Sequence, residues 1–340
     1  MDLLKSIAKR AAWGLLVLFG LTVIIYFLIK VVPGDQARLV LGANASEEVL
    51  EQYREANHLN EPIVVQYVYW LKGALTGNLG VSTITKRAVI KDLSDFLPAT
   101  LELIFWAGIP PIFVSLLLGV ISARNKNKWP DYLIRFTGYI FVATPTFVIA
   151  VLCILVFGYI FPIMPSIGGR ISPQFIIPDT TGFLMIDAII AGRFDAIGDI
   201  FLHLLFPALA LSLGHIMQEA RITRASMLQN AEKDYIIMAK SQGIDEGVIN
   251  RKYLLKPSVI PSITVMGMDF AAMFGNAFLI ERIFNWPGIS SYGMTAILNK
   301  DTNAVCGVVL IIGMAFILSN IVVDIVGMIL DPRMRQKRTR

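Results

Sequence analysis

Residues 304–330 read AVCGVVLIIGMAFILSNIVVDIVGMIL, twenty-seven residues carrying a single charge, Asp324. A bilayer core about 30 Å thick is crossed by roughly 20 apolar residues at a helical rise of about 1.5 Å each. This stretch is therefore long enough to span. Five earlier stretches have the same character, at 11–32, 99–123, 133–160, 200–219 and 258–281. Together they predict an all-α integral membrane protein with six transmembrane helices. Composition agrees, since 55% hydrophobic against 16% charged residues, with a mean hydropathy of +0.64, is too apolar for the water-facing surface of a soluble chain of 340 residues. Soluble enzymes, disordered chains and nucleic-acid binders are excluded on that ground. The two cysteines, Cys153 and Cys306, sit in or beside apolar runs and encode neither a disulfide framework nor a metal site.

Charge then gives the orientation. With the amino terminus in the cytoplasm, segments 1–10, 124–135, 221–256 and 331–340 face inward, and they hold 19 of the 30 Lys and Arg residues while most acids lie elsewhere. Both termini are expected to be cytoplasmic. Lys5, Lys9 and Arg10 before the first span resemble a signal peptide, but no small-residue cleavage site precedes Pro33, so a retained anchor is expected. The basic tail 331–340 suits an anionic lipid surface better than nucleic acid. The division expected is a cytoplasmic 1–10, a six-span domain over 11–330, and the tail.

Two outer segments, 33–97 and 161–199, are too polar or too short to cross. In the first, Ser46 suits a helix N-cap with Glu47 and Glu48 in the first turn and Val49, Leu50 and Tyr53 on one face. Pro62 opens a second helix with Tyr67, Trp70, Leu71 and Ala74 on one side until Gly77. A third run, Val89, Ile90, Leu93, Phe96 and Leu97, is expected to lie along the interface before the second span. These form a helical extracytoplasmic cap. The second outer segment holds one apolar run, Phe183 to Ala191. Pro110, Pro111, Pro145 and Pro207 are expected to kink their spans.

The inward loop between the fourth and fifth spans reads RASMLQNAEKDYIIMAKSQGIDEGVINRKYLLKPSVIP over 224–261. Met227, Leu228, Ala231, Tyr235, Met238 and Ala239 recur at helical spacing, Gly243 suits a left-handed helix end, and Asp245 suits the next N-cap. A helix, tight turn and second helix follow. The stripe has two readings, packing against the protein's own spans or serving as a knob for a soluble partner.

Here a resemblance enters. Asp234, Tyr235, Ala239 and Gly243, followed by Pro257 and Pro261, resemble the "EAA" coupling loop of ABC importer permeases in its DYxxxAxxxG version, although the Glu of the general motif is absent. The likeness continues through VPGD at 32–35, GNLGVS at 77–82, FLPATLEL at 96–103, TPTF at 144–147, IERIFNWPGIS at 280–290 and LDPRMR at 330–335. TGFLMIDAIIAGRF at 181–194, leading to HLLFPALAL at 203–211, is most similar to the dipeptide permease branch of the dipeptide, oligopeptide and nickel family.

That resemblance implies a type I importer permease fold in the bacterial inner membrane. It implies a homologous second permease, two ATPase subunits docked on the coupling loop 221–257, and an extracytoplasmic binding protein. No G-x-x-x-x-G-K-[ST] phosphate loop occurs, so ATP and Mg belong to the ATPase partners, and no cofactor, metal or catalytic residue is expected in this chain. The cargo implied is a dipeptide or short oligopeptide, with nickel or another metal chelate, an opine, a cationic peptide or a polyamine as alternatives, and export as the reversed direction. A self-contained secondary transporter is the distant alternative. An intramembrane aspartyl protease is disfavoured, because Asp269 in Gly-Met-Asp-Phe and Asp324 in Val-Val-Asp-Ile lack the Gly-x-Gly-Asp setting.

Charged groups at bilayer depth normally face a cavity or a partner. Asp269 and Asp324 are therefore candidates for the translocation path. For Asp269 the readings are attraction of a cation or a hydrogen-bonded acid between helices. Glu281 is a gate or a structural group before the turn at Trp286, Pro287 and Gly288, read as a rigid outer elbow with its aromatic at the interface. Glu102, His215 and Lys30 are expected near span ends, within reach of headgroups or water.

Overall fold

The structure is a computed structural model that describes residues 2–31, 34–42, 44–165 and 167–330. Among them the chain is helical, with no strand and one isolated bridge between Val81 and Ala88. Five helices are long and apolar enough to cross a membrane: Ala8–Val31, Val89–Arg124, Phe194–Ala231, Glu246–Ile283 and Thr302–Val323. A bent pair, Trp129–Ala143 and Thr146–Ile160, is the third span in chain order and completes six. Its bend of 105° has a local cause. Pro145 disfavours the α conformation at the residue before it, and Thr144 is extended at φ −87°, ψ 124°.

The other prolines act differently from one another. Pro110 and Pro111 donate no N–H, and the second span takes a π-helical turn at Pro111–Ser115 before resuming as Leu116–Arg124. Pro207 lies inside a helix that runs without interruption for 38 residues. The run Val89 to Leu97 leads into the second span as one continuous helix that passes through Pro98, with Val89 and Leu93 buried and Ile90 exposed.

The chain packs as two compact units. One comprises Met1–Thr100, Thr180–Phe183 and Pro287–Ile317. In it, Ser46 caps Glu47–Ala56 as expected, with Leu50 buried, whereas Val49 is exposed and does not share that face inward. The helix Ile63–Leu75 puts Tyr67 and Trp70 against Tyr26 of the first span, with ring centroids 5.4 and 5.9 Å from Tyr26. Thr22 Oγ1 and Tyr67 OH are 3.0 Å apart. The GNLGVS stretch has a geometric reason. Gly80 has φ +81°, and a Cβ there would meet Asn303 at 2.6 Å. Ser82 Oγ and the Thr83 N–H then donate to the fully buried Asp301 at 2.6 and 2.7 Å, while Asp301 caps the sixth span through the Ala304 N–H at 3.1 Å.

The other unit comprises Leu101–Asp179, Leu184–Trp286 and Leu318–Arg340. Its centre is the fourth span, Phe194–Ala231. Gly119 of the second span lets that helix approach closely, since a Cβ would lie 2.5 Å from Thr223 Cβ and 2.8 Å from the Ala220 carbonyl. Polar pairs add to apolar packing between the fourth and fifth spans: Thr223 with Ser262 at 2.7 Å, and Asn230 Nδ2 donating to Ser258 Oγ at 2.9 Å.

Candidate functional site

The loop between the fourth and fifth spans is mostly helix. The fourth span runs on to Ala231, a helix Asp234–Ser241 follows, and Glu246 begins a helical course that continues into the fifth span. Gly243 turns between them at φ +73°, a conformation costly for a residue with a Cβ. Asp245 accepts from the Gly247 and Val248 N–H groups at 2.8 and 3.2 Å, the expected cap. The second helix is not separate, because Pro257 and Pro261 lie where the helix tolerates them.

The apolar stripe divides into residues buried against the protein's own helices and residues left exposed. Met227, Ile236 and Ala239 are buried against Ala123, Ile249 and Leu254. Tyr235 and Met238 instead stand outward, 44% and 61% exposed, with Ile237 at 59%. Tyr235 and Met238 of the stripe thus face away from the spans, and Ile236, which the stripe did not include, takes the buried seat. An eight-residue helix rotates by about 100° per residue, so a one-residue phase change moves the buried face. The result is a short helix seated on its own spans and apolar on its outer side. Asp234 opens it and lies in its first turn.

Beneath that seat is a charged staple that the motifs did not disclose. Asp131 is fully buried and accepts from Arg224 Nε and Nη2 at 2.7 and 2.8 Å, from Ser122 Oγ at 2.5 Å and from the Asn127 N–H at 3.0 Å. A bidentate guanidinium–carboxylate pair fixes angle as well as distance. It ties the start of Trp129–Ala143 to the fourth span.

Within the spans, Asp269 Oδ2 lies 3.4 Å from His215 Nδ1. One turn along the fourth span is Glu219, 1% exposed, with neither carboxyl oxygen hydrogen-bonded among the described residues. The nearby Ser115 hydroxyl is directed to the Pro111 carbonyl. Two carboxyl groups and an imidazole thus lie within the apolar spans, where uncompensated negative charge is costly. Glu219 escaped the sequence reading because the fourth span was taken to end at residue 219, whereas the helix continues for twelve more residues. The Asp324 side chain, Val32, Pro33 and the tail from residue 331 lie outside the described residues.

At the opposite ends of these spans the segment 161–199 is fastened down. Glu102 has no exposed surface, pairs with Arg170 and accepts from the Met185 N–H at 2.8 Å. It does not reach headgroups, contrary to its expected position, because the outer segment folds over it. Lys30 does stand near a span end, donating to Gln36 Oε1 at 2.9 Å. Asp199 accepts from the Ser172 N–H and hydroxyl at 2.7 and 2.6 Å. Trp286 is 1% exposed, with the Arg170 guanidinium 6.0 Å from its ring centroid, so the elbow aromatic is packed inside and not placed at a lipid interface. The backbone N–H of Trp286 donates to the Glu281 carbonyl at 2.7 Å, and Glu281 is itself fully buried. Pro287 follows, and Gly288 caps the helix Ile289–Leu298, whose first N–H, that of Ile289, donates to Thr100 Oγ1 at 2.8 Å.

The family model "Binding-protein-dependent transport system inner membrane component" matches residues 115–336, and its N-terminal companion matches residues 3–104. The chain belongs to this family. The permease is 36% identical over 331 residues to the probable D,D-dipeptide transport system permease DdpB of Escherichia coli, covering 96% of this chain and 97% of that one. It is 35% identical over 319 residues to the dipeptide transport system permease DppB of Alkalihalophilus pseudofirmus, covering 94% and 96%. To the glutathione transport system permease GsiC of Escherichia coli it is 27% identical over 335 residues, covering 98% and 100%. The permease is a multi-pass protein of the inner membrane with the type I ABC importer permease fold. Among the described residues no three His, Cys, Asp or Glu side chains converge in a way that would hold a metal ion.

Proposed function

We propose that this permease carries dipeptides or short oligopeptides inward, sharing the path with a second homologous permease and receiving cargo from an extracytoplasmic binding protein. The observation that carries the cargo is the near-full-length likeness to two dipeptide permeases at 35–36% identity. In this reading both termini are cytoplasmic, following the concentration of Lys and Arg in 1–10, 124–135, 221–256 and 331–340.

The chain acts without catalysis or a cofactor of its own. ATP and Mg are bound by two ATPase subunits, and Asp234–Ser241 is the piece that meets them, with Tyr235 and Met238 as apolar anchors, Ala239 in the seat, and Gly243 and Asp245 setting the turn. Closure of the ATPases moves that helix, and the seat formed by Met227, Ile236 and Leu254 passes the movement to the fourth and fifth spans. Differential binding of two states is sufficient for such a switch. Asp269 supplies negative charge suited to the peptide ammonium.

Gly243→Val tests the docking assignment. A branched side chain at φ +73° displaces Asp245 and the helix before it. Uptake of a labelled dipeptide should fall at least tenfold at normal membrane levels, with ATPase subunits still hydrolysing ATP. Normal uptake would sink it. Competition with unlabelled dipeptide and with glutathione separates the two cargo classes.

A further inference from the structure

Between Trp129–Ala143 and the fourth span lies a cavity of about 130 Å³ bounded by Ser122, Arg135, Tyr139, Met217, Arg221 and Arg224. Arg224 is already committed to Asp131. Arg135 and Arg221 have no acidic partner among the described residues, so two guanidinium groups face one small cavity without a counter-charge. Their position is telling. Arg221 follows the apolar part of the fourth span, and Arg135 lies two turns into Trp129–Ala143, at the span ends where the chain concentrates its positive charge.

The surface beside the cavity is apolar. Tyr132, Phe136, Tyr139 and Ile140 stand at helical spacing and are all about half exposed or more, with Trp129 at the end of the same helix still more open. A basic cavity at one end and an aromatic, aliphatic wall leading away from it match the two parts of a phospholipid. An aqueous anion would use the guanidinium groups and leave the wall unused.

We propose that this cavity binds the phosphate headgroup of an anionic phospholipid, with an acyl chain lying along Tyr132, Phe136 and Ile140. Guanidinium groups suit phosphate oxygens because their N–H donors are planar and paired. Basic cavities between spans on the positively charged side are suited to such headgroups. The proposal does not depend on the cargo.

The test uses the intact transporter complex reconstituted in phosphatidylcholine nanodiscs and titrated with phosphatidylglycerol, with retained lipid counted by native mass spectrometry. Wild type should keep phosphatidylglycerol in preference to phosphatidylcholine. The double variant Arg135→Gln/Arg221→Gln should lose that preference by about 30-fold, from two basic groups at a lipid surface. Arg124→Gln/Lys126→Gln, removing neighbouring charge outside the cavity, should keep it. Equal retention of the two lipids by wild type overturns the proposal without reference to any variant. Displacement of phosphatidylglycerol by millimolar inorganic phosphate or by dipeptide also overturns it, assigning the cavity to a soluble anion or to a cargo carboxylate. Loss of the ATPase subunits from the double variant with its lipid preference intact overturns it as well, assigning the arginines to a protein contact.

Discussion

Glu102 is held between the Arg170 guanidinium and the Met185 N–H, with no surface open to solvent. Removing the arginine would leave a buried carboxylate uncompensated, which costs about 3 to 5 kcal/mol in comparable pairs. Arg170→Ala should therefore lower the thermal midpoint of the purified transporter markedly, whereas Glu102→Gln, which removes the charge and keeps an acceptor, should cost less. Equal and negligible shifts would show that the pair is dispensable. The sequence made the acid visible and left its setting hidden, because Arg170 is 68 residues away and no periodicity links the two. Glu219 was hidden for a different reason: a helix that outlasts the membrane shows no hydropathy mark where the lipid ends. Gly243 and Asp245, by contrast, act within their own turn, and short-range chemistry of that kind is readable from residue order alone.

Helices as units were legible where hydropathy or capping defines them. Ser46 and Pro62 start the helices they were expected to start, and the spans occur in the expected places. Their lengths and bends were not, since the same residue type, proline, accompanies different outcomes in different spans. Pro145 breaks its span, Pro111 widens one turn, and Pro207 leaves its helix whole.

The outer helices Gln36–Leu41 and Glu47–Ala56 are joined by charge as well as by packing. Arg54 donates to Asp35 at 2.5 Å, to Glu51 at 2.8 Å and to Glu47 at 3.0 Å, and Asp35 also caps the first helix through the Ala37 N–H. The hydrogen bond from Arg54 is the main reason the Asp35 carboxyl is held below the usual carboxylate range. A lowered folded-state value contributes stability that is present above the unfolded value, about pH 4, and is lost as pH falls through the folded one. Hydrogen exchange at pH 6 and pH 3 should therefore show Gln36–Leu41 and Glu47–Ala56 losing protection on acidification, after correction for intrinsic rates. Unchanged protection would mean that packing alone holds them.

For the whole molecule, orientation is the property that charge counting addresses most directly. A fluorescent protein fused after Arg340 should glow and a phosphatase at the same point should be inactive, with the reverse pattern for insertions after Gly77. Active phosphatase at the carboxyl terminus would invert the assignment of every loop. Six spans, their order and the family likeness were all legible before any coordinates; the division of the packing into two compact units was not, because each collects segments far apart in the chain.

The fourth span gives the molecule a lever arm. Thirty-eight residues at about 1.5 Å each make a rod of about 57 Å, nearly twice the hydrocarbon thickness. A tilt of only about 5° about one end displaces the other by roughly 5 Å, a whole helical turn. A shift of a few ångströms at the Ala231 end is therefore carried to the Phe194 end within one helix, with no relay of loops in between.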